Sequence, residues 1–432
     1  MSVVTGSVAG RTERLPREVW VLVAANFVIA VGYGIVAPAL PTFAHSFNVS
    51  VTAASIVVSV FAVSRLVFAP ASGRLLAIIG ERKVYVTGLL IVAVTTGLCA
   101  FAEAYWHLLA LRALAGIGST MFTVSGVALL VHVTPPTLRG TASGWWANGF
   151  LLGNVTGPII GGGLIAVSLR TPFLVYAGAL IVAVGIAWWF LRHSTLIAAA
   201  ADDDKPVLTV REAVRHRSYR AALASNFANG WTVFGVRIAL VPLFVTEVLH
   251  RDAAFAGTAM AIFAAGNVVM LLVSGKLADS LGRKPLVLVG LMVSAGGTIW
   301  LGYTETVPAF IAATVLAGLG SGLLNPPQQA TVADVVGRDR RGGPALATFQ
   351  MAADLGAILG PVVAGALAQA TSFGASFALT GALSVVAAGV WLSARETRPH
   401  VEPETIGAQA GSGACGTDEA PDLRCTADAD RR

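Results

Sequence analysis

Apolar stretches long enough to cross the ~30 Å hydrocarbon core of a bilayer follow one another along almost the whole of this sequence. The first runs from about Val19 to Phe43, and five more lie at about 52–72, 84–102, 104–131, 142–167 and 171–191. A polar stretch interrupts the pattern, and six further spans follow at about 219–247, 253–274, 286–304, 307–330, 344–369 and 372–393. In lipid each backbone N–H and C=O must be paired within the protein, which single apolar segments achieve only as helices. Composition points the same way: 12% of the 432 residues are charged, against roughly 25% in soluble domains, and 55% are hydrophobic. A water-soluble fold is excluded, and the expected fold is an all-α integral membrane protein of twelve transmembrane helices.

Twelve spans assign each loop to one side once the N-terminus is placed in the cytoplasm. The cytoplasmic segments then hold 24 Lys and Arg and the outer loops only two, Arg170 and Arg251. That asymmetry fixes the expected orientation: a multi-pass protein of the cytoplasmic membrane with both termini cytoplasmic. The net charge of +6 thus reports topology and not a nucleic-acid partner. The expected organisation is a cytoplasmic N-tail (1–18), a six-helix bundle (19–191), a cytoplasmic linker (192–218), a second six-helix bundle (219–393) and a disordered cytoplasmic tail (394–432). In the linker, Thr209 and Glu212 have capping-box spacing, which predicts a short basic amphipathic helix on the inner leaflet. Cys99 lies in an apolar run and Cys415 and Cys425 in the polar tail, so no disulfide framework is expected.

The two bundles repeat. Gly73 and Gly80 recur 202 residues later as Gly275 and Gly282, and Gly116 and Gly118 recur at the same offset as Gly318 and Gly320. Gly157-Pro158 recurs as Gly360-Pro361 at 203, and Asn26-Phe27 as Asn226-Phe227 at 200. Parallel repeats of six spans are related by an axis along the membrane normal, with a substrate site expected between them near the midplane.

Three motifs carry a resemblance. Gly275-Lys276-Leu277-Ala278-Asp279-Ser280-Leu281-Gly282-Arg283-Lys284 fits G-x-L-A-D-x-x-G-R-K without a gap, whereas its first-half copy keeps Gly73 and Gly80 but has Ala77 and Glu81 at the Asp and first Arg positions. Arg112-Ala113-Leu114-Ala115-Gly116 fits R-x-x-x-G, and Gly144, Gly153, Gly157, Pro158, Gly161 and Gly162 fit G-x8-G-x3-G-P-x2-G-G. In these motifs the chain resembles the major facilitator superfamily, and within it the twelve-span drug:proton antiporters. The resemblance covers residues 19–393. It implies two pseudo-symmetric halves, proton coupling through Arg112, and export in exchange for protons. Independently of the family, glycines four residues apart at 153, 157 and 161 form a side-chain-free stripe, and Pro158 lets the helix bend. Near the outer end, such a seam suits a seal between the halves.

Four charges fall inside spans: Arg65, Arg112, Arg237 and Asp354. Each costs about 2.5–3.5 kcal/mol at a bilayer centre, so each is expected to face a partner or a watery cavity. Arg237 and Asp354 both lie about ten residues from a span end, which suggests an ion pair, either static or with Asp354 as the titrating carboxylate. Arg65 is expected nearer the cytoplasmic end of its span. The expected substrate lining is Asn26, Tyr33, Asn148, Asn229, Phe234, Asn325, Gln328 and Gln350. No P-loop, nucleophile elbow or H-E-x-x-H occurs, so neither an enzyme nor a cofactor or metal site is expected. The expected function is proton-coupled efflux of small, lipophilic or drug-like molecules by a monomer in lipid. Export of an endogenous sugar or metabolite, or import by symport, are the alternatives.

Overall fold

A computed structural model describes residues 15–134, 138–191, 208–337 and 343–397. The first half comprises α1 (Arg17–Val36), α2 (Ala39–His45), α3 (Val51–Ile79), α4 (Glu81–Cys99), α5 (Tyr105–Val133), α6 (Arg139–Ile165) and α7 (Thr171–Leu191). The short α8 (Val210–Ala213) leads into the second, with α9 (Arg217–Asn229), α10 (Arg237–Glu247), α11 (Ala253–Leu281), α12 (Arg283–Leu301), α13 (Val307–Val336), α14 (Gly343–Ala370) and α15 (Phe373–Leu392). A π-helical turn, Gly230–Val236, joins α9 to α10, so these form one span, as do α1 and α2. Eleven spans are long and apolar enough to cross a membrane among the described residues. The twelfth helix of spanning length, α6, has 27 residues, and its eight glycines dilute its hydropathy.

The repeat read from the sequence holds at the level of contacts. Asn26 Nδ2 donates to the Trp146 carbonyl at 2.9 Å, and Asn226 Nδ2 donates to the Phe349 carbonyl at 2.6 Å. A Cβ on Gly88 would stand 2.7 Å from the Gly118 carbonyl, and one on Gly290 would stand 2.9 Å from the Gly320 carbonyl. Backbones thus cross without intervening side chains at matching points of both halves, where membrane helices gain packing contacts.

The halves meet at the end away from the linker. Ser59 Oγ donates to the Ile358 carbonyl at 2.7 Å, Thr52 Oγ1 donates to Gln369 Oε1 at 2.7 Å, and His45 lies 3.6 Å from Glu247. Gly162 packs against Gly257, and Gly365 against Thr52 and Ser55, in the same region. Toward the linker end, Gly73 and Gly275 have no neighbour within 4 Å of where a Cβ would stand, and Asn148 and Gln350 are exposed. The cleft between the halves is closed at one end and open at the other.

Two expectations change in detail. Thr209 and Glu212 do form the capping box, but Leu208 and Ala213 are buried with Tyr219, Val332 and Phe349 of the second half. Leu208 and Ala213 thus pack on protein, whereas Val210 and Val214 stay exposed. The chain is also ordered past residue 394, because Glu396 accepts hydrogen bonds from the backbone N–H groups of Arg283 and Lys284 at 2.9 and 3.0 Å. That carboxylate sits at the N-terminus of α12, where unpaired N–H groups favour negative charge. The N-tail through residue 14, most of the linker and the tail from 398 lie outside the described residues.

Candidate substrate path and coupling charges

Arg112 and Arg237 are 6% and 5% exposed and meet aromatic rings instead of carboxylates. The Arg112 guanidinium lies 4.3 Å from the centroid of Phe61, and that of Arg237 lies 3.8 Å from Phe263. A desolvated cation–π contact contributes about 2 kcal/mol or more, which offsets most of the roughly 3 kcal/mol that a central charge costs. Phe61 and Phe263 stand 202 residues apart, the glycine offset, so the rings are pseudo-equivalent although the arginines come from different helices. This pair is readable in the sequence at that offset. Arg65 lies 5.9 Å from the Phe61 centroid. It occupies the middle of the 29-residue α3, deeper than the sequence suggests, because that helix extends to Ile79.

The expected Arg237–Asp354 ion pair does not form among the described residues. Gly230 packs on the backbone of Ala353, which sets the register of the two spans. Arg237 lies seven residues beyond that contact toward the closed end and Asp354 only one, so about 9 Å of helix rise separates them. Asp354 instead shares a region with Tyr33, which stands within electrostatic reach of Arg65, Arg112 and Asp354 together.

The polar residues of the expected lining separate into two groups. Asn26 is spent on the Trp146 carbonyl, and Gln328 is fully buried. Ser225 donates to Gln328 Oε1 at 2.8 Å, while Gln328 Nε2 donates to Asn325 Oδ1 at 3.0 Å and Asn226 Oδ1 at 3.4 Å. Asn229 Nδ2 donates to the same Asn325 oxygen at 3.2 Å, and Asn267 joins through Ser321 at 3.1 Å. This network ties the seventh, eighth and tenth spans together, and satisfied amides of this kind rigidify. Tyr33 and Phe234 are half-buried, and Asn148 and Gln350 are exposed.

The fifth-span motif divides its work. Gly153 packs on Phe27 and Ala30, Gly157 on Val31 and Gly34, and Gly161 on Ile35, all in α1 of the same half. The stripe is therefore not the inter-half seal its position suggests, because α1 and not the other half covers it. Gly162 alone of these crosses the divide, its built Cβ standing 3.0 Å from the Ala254 carbonyl. Pro158 is held against Gly34, as Pro361 is against Gly235. The surroundings of Gly144 lie outside the described residues.

In the second-half loop, Gly282 has φ +101°, and Gly80 matches it at +86°. After Gly282, Arg283 Nε reaches Asp334 Oδ2 at 3.2 Å, and Lys284 Nζ donates to the carbonyls of Leu392 and Ala394 at 2.8 and 2.9 Å. Gly73 and Gly275 face open space, and the side chains of Lys276 and Asp279 lie outside the described residues. In the first half, the departure at Glu81 has a structural counterpart. Glu81 Oε2 lies 2.7 Å from His132 Nδ1. Residues 81 and 132 correspond to 283 and 334 at the offset of 202, so the same clamp is built with its acid and base exchanged. Glu81→Ala is expected to cost about 1–2 kcal/mol in thermal unfolding of the detergent-solubilised protein. Adding His132→Ala should cost little more, and Glu81→Arg with His132→Asp should recover most of the loss.

A family model described as Major Facilitator Superfamily matches residues 22–236 and 222–415. The class E tetracycline resistance protein of Escherichia coli is 26% identical over 366 residues, covering 82% of this chain and 89% of that protein. Multidrug resistance protein 1 of Bacillus subtilis is 24% identical, covering 80% and 88%. Among solved structures, a bacterial homologue of the human lysosomal transporter Spinster, in an inward-facing and occupied conformation, matches with a TM-score of 0.70. It is 15% identical and covers 87% of this chain and 95% of that one.

Proposed function

This chain belongs to the major facilitator superfamily and is a multi-pass membrane transporter, not an enzyme; from that premise we propose that it exports small, lipophilic molecules from the cytoplasm in exchange for protons. The observation that carries the reading is the one-sided cleft. The halves close on each other at Gly162–Gly257, Ser59–Ile358 and Thr52–Gln369, whereas Gly73 and Gly275 at the linker end face open space. Alternating access requires such a pair of gates around a central site. The excess of Lys and Arg in the loops at the open end supports placing that end in the cytoplasm, and in this reading a substrate enters from inside.

In this reading Asp354 carries the proton and Arg112 and Arg237 hold fixed charge, while Tyr33, Phe234, Asn148 and Gln350 meet the substrate. The names of the tetracycline and multidrug resistance relatives support a drug-like cargo. The transporter acts as a monomer, since both gates lie within one chain.

The test uses everted membrane vesicles containing the full chain and the lipophilic dye Hoechst 33342. Respiration-driven dye uptake above that of vector vesicles, abolished by nigericin, is the expected result. Uptake that persists without a proton gradient, or dye movement no greater than in vector vesicles, overturns it.

A further inference from the structure

We propose that Arg65 is the charge partner that Asp354 acquires when the cytoplasmic end closes, so that a proton on Asp354 releases this gate. The inference rests on the exporter reading above and adds a residue to it. Ser59 and Ile358 make the hydrogen bond between α3 and α14 that lies nearest the open end. From there, Arg65 is six residues farther along α3 and Asp354 four residues farther along α14, about 9 and 6 Å of helix rise into the open cleft. Gly365, eleven residues or about three turns from Asp354, packs against Ser55 of α3, so Asp354 lies on the α3-facing side of its helix.

Neither charge has an ion-pair partner among the described residues. Arg65 Nε is buried without a hydrogen bond, and Asp354 forms no ion pair among the described residues. The other two span arginines are placed differently: Arg237 is out of level, and Arg112 is buried over Phe61 among Cys99, Tyr33 and Tyr176 of the first half. Tyr33 of α1 stands within electrostatic reach of Asp354, of Arg65 from α3 and of Arg112 from α5; the second-half segment packed on α14 at this level presents Phe227 and Gly230, neither of which titrates. Two opposite charges flanking an apolar cleft attract strongly once water leaves it.

The cycle follows. With the cytoplasmic end closed, the Asp354 carboxylate is paired with Arg65. A proton arriving from the outer side binds that carboxylate, removes the attraction and lets the end open. The proton then leaves to the cytoplasm, and the recovered carboxylate draws α14 back to α3 behind a bound substrate.

The measurement is the distance between spin labels at the exposed Ile78 and Leu346, near the linker ends of α3 and α14, in the full chain with Cys99, Cys415 and Cys425 replaced by Ser. The unaltered pair should show a short-distance population at pH 8 that falls at least threefold at pH 5. Arg65→Gln should lose that population at pH 8, Arg65→Lys should keep it, and Arg65→Asp with Asp354→Arg should restore it without the pH response. A short-distance population in Arg65→Gln equal to that of the parent overturns the pairing, whether or not the dye is transported. If Asp354→Asn keeps the parent pH response, the assignment of the proton to Asp354 falls and the pairing with it. Should Arg65→Gln not fold, equal populations in the parent and the exchanged double variant at pH 5 and 8 overturn the proposal.

Discussion

Asp354→Asn is expected to abolish proton-driven accumulation while leaving the amount of folded protein in the membrane unchanged. One proton crossing ~100 mV supplies about 2.3 kcal/mol, which sustains roughly a fifty-fold gradient of a neutral substrate. Asparagine keeps the shape of the side chain and its capacity for hydrogen bonds but cannot take up a proton. The gradient built by the variant should therefore collapse toward unity, although downhill equilibration of the dye persists. Asp354 makes no ion pair among the described residues, so the substitution removes no ion pair of this conformation, and its effect falls on coupling and on the closure against Arg65 proposed above. Dye accumulation by Asp354→Asn at the parent level, nigericin-sensitive and at equal expression, removes this residue from the mechanism.

Gly157→Ala is the substitution expected to damage the fold most for the least chemical change. A Cβ there meets the Val31 carbonyl and stands 2.7 Å from Gly34 Cα, and both neighbours are backbone, so no side chain can turn aside. Relief requires α1 and α6 to move apart, at a cost at or above the upper end of the roughly 1–3 kcal/mol typical of overpacking. Gly163 lies six residues on in the same helix with nothing within 4 Å, and its replacement by Ala should be neutral or gain up to about 1 kcal/mol in helix propensity. Gly162→Ala should behave differently again. Its Cβ presses on α11 of the other half, so it should shift the balance between the two ends of the cleft more than the melting temperature. Thermal unfolding of the three variants in one detergent separates these outcomes; equal melting temperatures for Gly157→Ala and Gly163→Ala contradict the packing described here.

Much of this architecture is legible from the chain. Span number follows from apolar runs against a fixed bilayer thickness, and the two-fold repeat follows from glycines whose spacing survives because backbones cross there. Glu81 illustrates the limit. As a departure from the loop pattern it reads as a lost contact, yet its partner His132 lies 51 residues away, so only the folded chain shows an exchanged clamp. The lining amides are similar. Asn26 and Gln328 have the residue type of a substrate site, but burial and hydrogen bonds to neighbouring helices assign them to packing.

Arg237 and Asp354 mark the boundary most clearly. By itself the sequence determined that the chain is helical, lies in lipid, repeats in two halves and carries four charges at membrane depth, because hydropathy and spacing are local properties that burial in lipid makes obligatory. It did not determine which charges meet. That depends on the relative height of two helices, which close backbone contacts such as Gly230 against Ala353 and Gly356 against Phe227 set. Only tertiary packing decided that Arg237 rests on Phe263 and that the Gly153–Gly157–Gly161 stripe is covered by α1, because helix register is a property of interlocking surfaces and not of either helix alone.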